Sequence, residues 1–328
     1  MSKRRLTGCF KFGCFGCLSV VALGVGFVLL LGAIQVTSDQ SPKPQQSQTS
    51  HELPQLADAV FPGADQGNIP DVELEEFPGD DPTPPPAGTL VLDLSAGEFN
   101  IRPGPPGEPI RVEADYDANS FELNEDFTAN DDGTWGYKVR FGMRGGFLGS
   151  LFRGGANGSR NEVNIIIPRG HPVRIVGKIG MGESEIDLGG LWVEEVDLET
   201  SMGDHFVEFR EPTPMPVQAF SLQGSMGEVE IQDLGNASPA SVQVKHGMGE
   251  MRVDLEGEWR NDADININFS MGGCRLFLPD DVFVDVDRAR VAMGEGYVER
   301  RDESQVPADA PTLSISAAGA MGEVRIEN

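Results

Sequence analysis

Six carboxylates recur at one place in a repeated pattern along the second half of this 328-residue chain. Glu183, Asp204, Glu228, Glu250, Glu295 and Glu323 each directly follow a Met-Gly pair, and Gly273 takes the equivalent place in a seventh copy. Stacked one above another, they would form a ladder with rungs about 4.8 Å apart. Hard cations such as Ca2+ take clustered carboxylates and carbonyls, so this column is the candidate metal site and Ca2+ the candidate cofactor. The familiar calcium repeat Gly-Gly-x-Gly-x-Asp is absent, and like charges at that spacing also persist when solvent screens them. A solvated acidic edge, with no cofactor, is therefore the expected state. The Met column suggests Cu(I), since thioethers suit that ion. Met is also a flexible core filler, and its inward parity on the strand, its small neighbour and the lack of a local His or Cys cluster favour filler.

Other candidates fall where the pattern breaks. Phe141 to Arg160 is Gly-rich and basic, and carries Arg144, Phe147, Leu148, Leu151, Phe152 and Arg153. Loops concentrate binding function, and exposed aromatics beside Arg suit contact with a partner or a membrane surface. These six residues form the candidate partner-binding site; the alternative is a hairpin tip folded over the end of the stack. His205 and His246 lie at different offsets and two repeats apart, so they are not expected to converge, and no zinc constellation is legible. No Gly-x-Ser-x-Gly elbow, Walker loop or His-Glu-x-x-His helix is present. Acid pairs such as Glu194/Glu195 and Asp280/Asp281 are weak signals in a chain with 52 acidic residues. No catalytic residues are assigned, and the expectation is a non-enzyme.

What positions these residues is the repeat. Met181, Met202, Met226, Met248, Met271, Met293 and Met321 each precede a Gly, at steps of 21, 24, 22, 23, 22 and 28 residues. A fixed period in this range marks a repeat architecture. Before each Met stands a small residue: Gly180, Ser201, Ser225, Gly247, Ser270, Ala292 or Ala320. Four residues after each Gly stands an aliphatic: Ile186, Val207, Ile231, Val253, Leu276, Val298 or Ile326. Apolar pairs such as Val196/Leu198 and Val242/Val244 precede the Met with the period of two of a half-buried strand. The parity changes after the Gly, which requires a kink that Gly can supply. Each unit reads as strand, Gly corner, strand, turn. One unit cannot bury a core, but stacked units can. The expected fold is all-β: a β-solenoid, a single-stranded β-helix-like stack of units of roughly 22 residues over 89–328. A weaker copy at Leu92, Leu94, Ala96-Gly97-Glu98, Phe99 and Ile101 places its start near residue 89. About 11 coils would make a rod on the order of 50 Å long.

The rest of the chain is of different material. Residues 1–17 are basic and contain Cys9, Cys14 and Cys17, while 18–36 are apolar and long enough to span a bilayer. Lys3, Arg4, Arg5 and Lys11 should stay cytoplasmic, placing the remainder outside a cell membrane in single-pass topology. A cleaved leader is the rival, against which the length of the apolar run argues. Residues 37–88 are Pro-, Gln- and Ser-rich and read as a disordered linker. The net charge is −27, from 25 Lys and Arg against 52 Asp and Glu. With the four cytoplasmic bases set aside the ectodomain carries −31, which repels nucleic acid and favours cationic or basic partners. Cys274 stands alone outside, so no disulfide framework is available there.

The run Asn161 to Pro168, then Val173 to Val176, Met181-Gly182-Glu183, Ile186 to Leu191 and Val196 to Leu198, resembles the bacterial putative-adhesin, or toastrack, β-solenoids. Leu276 to Pro279, Val282 to Val284, Met293-Gly294 and Leu313 to Ile326 are similar to the LiaF-type envelope-stress domain. Together the resemblance covers 89–328 and implies an envelope-facing binding or sensing module with no catalytic residues to carry over. Met in place of the commoner polar residue before Gly, and the inserted basic loop, depart from it. The expected function is thus a membrane-anchored extracytoplasmic adhesin-like binding or envelope-stress sensing module with an unidentified envelope component or membrane protein as partner. A structural spacer or a rod that self-assembles as a homo-oligomer, and a carbohydrate-active β-helix enzyme, are the alternatives.

Overall fold

The computed structural model describes residues 43–54, 87–144, 161–299, 301 and 303–328. Thirteen strands make up one sheet: β1 Pro44–His51, β2 Gly88–Gly104, β3 Ile110–Asp117, β4 Phe121–Ala129, β5 Trp135–Met143, β6 Glu162–Pro168, β7 Val173–Asp187, β8 Val193–Glu208, β9 Ala219–Gln232, β10 Ser241–Asp254, β11 Ala263–Phe277, β12 Phe283–Val298 and β13 Thr312–Glu327. Along the path β1-β3-β6-β2-β7-β8-β9-β10-β11-β13-β12, pairing is parallel from β6 onward and antiparallel at β1-β3 and β3-β6. The architecture is all-β and mostly parallel, consistent with a β-solenoid. Among the described residues no helix is long and apolar enough to cross a membrane. The expected cytoplasmic segment 1–17 and span 18–36 lie outside the described residues.

Each Met-Gly unit is one long strand in exact rung-to-rung register with its neighbours: Met202 pairs Met181 and Met226, and Gly203 pairs Gly182 and Gly227. Within a strand the buried parity switches across the Gly. In β8, Val196, Leu198 and Thr200 are buried on one side of it and His205 and Val207 on the other. The chain therefore turns a corner between the third residue before the Gly and the second after it. Gly182, Gly203, Gly227, Gly249, Gly272 and Gly322 hold φ between 116° and 134°, where L side chains are strained. A Cβ on any of them would also collide with the Gly carbonyl oxygen of the strand beside it. The aliphatics Ile186, Val207, Ile231, Val253, Leu276 and Ile326 stack into a wholly buried column, each side chain stabilising the fold by about 1.5–3 kcal/mol.

Several expectations need correction. The Met column is not core filler: the seven Met side chains are 38% to 62% exposed. Continuing the strand's alternation through the Met assumes an unbent strand. At a corner the inside has room for only one side chain from each arm, and the Met lies on the outside of the bend. The units also do not stack wholly in chain order, because β13 inserts between β11 and β12. Leu313, Ile315, Ala317, Val324 and Ile326 of β13 are fully buried, whereas β12 carries Asp285, Asp287, Arg288 and Arg290 and exposes Tyr297 and Val298. Apolar burial puts the apolar strand inside and leaves the charged one at the edge.

At the other end the stack departs from the expected 11 repeat coils over 89–328: of the 11 strands along the path only eight, β2 and β7 to β13, carry the repeat, while β1, β3 and β6 do not. β5 and β6 pair with the two halves of β2, so together they occupy one level with residues 145–160 between them. β3 and β4 cap that level by antiparallel pairing, and β1 pairs on β3. Residues 43–54 therefore do not belong to a disordered linker. Their alternating Gln, Ser and Thr side chains suit a polar edge strand, His51 stacks on Phe127 at 4.5 Å, and Leu53 is buried. Phe141 is likewise no loop residue: it is buried and stacks on Phe121 at 5.4 Å.

Candidate binding ridge

The corner brings three columns to the outer surface side by side: the small residue, the Met and, past the Gly, the acid. The acid column runs continuously in register from Glu98 through Glu183, Asp204, Glu228 and Glu250 to Gly273, Glu323 and Glu295. All six sequence-predicted acids thus lie in one column, and Glu98 extends it. The carboxylates line up without converging. Five of the six are exposed, and among the described residues no group of three or more His, Cys, Asp or Glu gathers into a metal-holding cluster. Calcium, which takes six to eight oxygens around one point, finds no such point among the described residues. Glu323 pairs instead with Arg325 at 2.6 Å. At the gap, the Glu250 carboxylate lies over Gly273, in a notch of about 260 Å³ that Arg275 and Arg325 also line.

On the other side of the Met row lies a trough of about 690 Å³. Its floor is the column of small residues, here Ser225, Gly247, Ser270, Ala320 and Ala292, and Gln223, Lys245 and Asn268 form its far wall. The sequence displayed the small column but not the reason for it. At Gly180 and Gly247 a Cβ would strike the backbone carbonyl of Ser95 or Ser225 on the adjacent strand. At those two rungs the neighbouring strand leaves no room for a side chain, and the Ser and Ala of the other rungs are short, so the floor lies low beside the exposed Met side chains.

Inside the same corner the structure places residues that sequence reasoning kept apart. The third residue before the Gly and the second after it face each other there: the Val229 Cγ2 lies 2.9 Å from where a Cβ on Gly224 would sit. His205 and His246 occupy these two inner columns, are each 3% exposed, and lie within electrostatic reach of one another. Gly224, on the strand between them, leaves a space that the His246 ring fills. The Ser184 hydroxyl bonds His205 Nδ1 at 2.9 Å, and His246 Nε2–H donates to the Gly227 carbonyl at 3.1 Å. Among the described residues His205 Nε2, His246 Nδ1 and Thr200 Oγ1 find no hydrogen-bond partner. Burial holds both imidazoles below the usual histidine range, outweighing the nearby Asp204 and Glu250. Cys274, in the same inner column, is pushed up to about 12 by burial and so remains a thiol.

Of the candidate partner-binding residues, Arg144 alone lies within the described residues. It is tied down: its N–H donates to the Ser120 carbonyl at 2.8 Å, its Nε to the Phe121 carbonyl at 3.1 Å, and Glu122 lies 4.0 Å away. It closes the end of the β4–β5 hairpin. Phe147, Leu148, Leu151, Phe152 and Arg153 lie outside the described residues.

No protein-family model and no curated protein sequence matches the chain. Among solved structures, it is similar to a putative cell adhesion protein from Clostridium sporogenes, with 16% identity and a TM-score of 0.40 over 87% of this chain and 99% of that one. A putative adhesin from Parabacteroides merdae follows with 12% identity and a TM-score of 0.35, over 87% and 96% of the two chains. One from Parabacteroides distasonis has 10% identity and a TM-score of 0.32, over 87% and 98%. Identities and TM-scores this low carry no argument about this chain.

Proposed function

We propose that this chain is a non-enzymatic, adhesin-like binding module, anchored in a membrane by residues 18–36 and presenting its β-stack outside the cytoplasm. The observation that carries the reading is the ridge: seven exposed Met side chains in one row, with a column of carboxylates beside them. Exposed apolar rows on a soluble surface mark contact sites, and Met is the side chain best suited to adapt to a partner. Packing does not explain the row, because a side chain about half in water gains little from being apolar. The ligand is an envelope component or a membrane protein; relaying envelope stress through that contact is the finer form of the same reading. The rod alternative is weakened by the four charges on the β12 edge, which oppose strand addition there.

A photo-crosslinking side chain placed singly at Met202, Met248 and Met293 in the native membrane tests it, with mass spectrometry of the adducts. One recurrent adduct at the ridge, and none from Arg102 or Arg174 on other faces, is the expected result. Adducts from every position alike, or turnover of a cell-wall polymer by the purified chain, would overturn it.

A further inference from the structure

We infer that the ridge docks a cationic amphipathic helix laid along the stack axis, its apolar stripe on the Met row and its Lys and Arg over the acid column. This rests on the reading of the ridge as the binding face and names the chemistry of its partner. Seven Met rungs span about 29 Å at the strand spacing of about 4.8 Å. A helix of roughly 19 residues has that length, with a turn every 5.4 Å or so. Five helical turns against six rung steps leave a mismatch of less than one turn, which long, unbranched thioether side chains can absorb.

The sides of the row differ in a way that orients the helix. Toward the acid column stand exposed Glu183, Asp204, Glu228, Glu250 and Glu295. Toward the trough the floor is uncharged and low, so the body of a helix can settle against the Met side chains there. Lys245 on the trough's far wall would disfavour a second basic edge on that side. A helix with its cations along one border of the apolar stripe satisfies both sides at once. The charge of the whole chain, −27, draws such a partner in and repels acidic ones.

The test uses the full chain in zwitterionic nanodiscs, with empty nanodiscs as blank. The probe is a fluorescent 19-residue Leu/Lys peptide with one apolar stripe, read by anisotropy, beside a scrambled peptide of the same composition. Expected are saturable binding of the striped peptide and at least tenfold weaker binding of the scrambled one. Replacing Met226, Met248 and Met271 together by Ser should weaken binding at least tenfold, and by Leu should leave it within threefold. Asp204→Asn, Glu228→Gln and Glu250→Gln together should weaken it at least fivefold and flatten its dependence on salt. Equal binding of both peptides would reduce the contact to charge alone and overturn the inference. So would indifference to the Ser variants. Loss in the Leu variant would also overturn it, because sulfur chemistry such as Cu(I) ligation, not apolar contact, would then be the cause. If ridge crosslinks succeed in the native membrane while the peptide fails these criteria, the binding module stands and the helix falls. If the ridge yields no crosslinks, the module reading itself falls.

Discussion

Met226 and Gly227 are adjacent, yet the structure gives them opposite energetics. Met226 is 42% exposed, so Met226→Ser should change stability by less than about 0.5 kcal/mol. Gly227 combines a φ of 116° with a Cβ position that meets the Gly203 carbonyl. Gly227→Ala should therefore destabilise by more than about 2 kcal/mol. Urea titration of the two variants measures both, and a large loss from the Met change would mean that the row is core after all. The histidines make a second residue-scale prediction. His205 and His246 are held neutral by burial, so the unfolded chain takes up protons that the folded chain refuses. Their contribution is fully present above the unfolded pKa of about 6.5 and is lost as pH falls below it toward the lowered folded values. Stability should drop between pH 7 and 5, and a His205→Gln, His246→Asn double variant should show a flatter profile in chemical denaturation across that range.

At the scale of elements, the order β11-β13-β12 decides which strand belongs to the core. Ile315 of β13 is fully buried, while Val286, its ladder partner on β12, is only half-buried. Ile315→Ala should cost about 2–5 kcal/mol, and Val286→Ala less than about 1.5 kcal/mol. Equal losses would restore simple sequential stacking. The sequence held a trace of the inversion: the last Met-to-Met step is 28 residues, longer than the rest. That surplus falls in the connection from β12 back to β13. The strands themselves were legible because buried and exposed residues alternate with period two. The order of the last two was not, because it depends on comparing the burial gain of two strands that share one motif. β1 was missed for a related reason: Pro44 and its run of Gln, Ser and Thr have the composition of a linker, and only pairing with β3 makes them a strand.

For the whole molecule, an open stack ends in strands with unpaired backbone, and at one end that strand is charged. β12 carries Asp285, Asp287, Arg288 and Arg290 along the exposed end. The chain should sediment as a monomer, and replacing these four by Thr should produce concentration-dependent, elongated species in analytical ultracentrifugation. Monomeric behaviour of that variant would assign the barrier to something other than edge charge. By itself the sequence determined the repeat, its register and the glycines, because period, parity and φ requirements are local properties written into each unit. It also determined that the acids form one column, since residues at the same offset in stacked units must coincide. Only the tertiary structure decided that the Met row faces water, that His205 and His246 share one buried corner, and that β13 lies inside β12. Each of those depends on where the chain bends or which strand lies alongside, and neither bend direction nor neighbour is encoded within a single 22-residue unit.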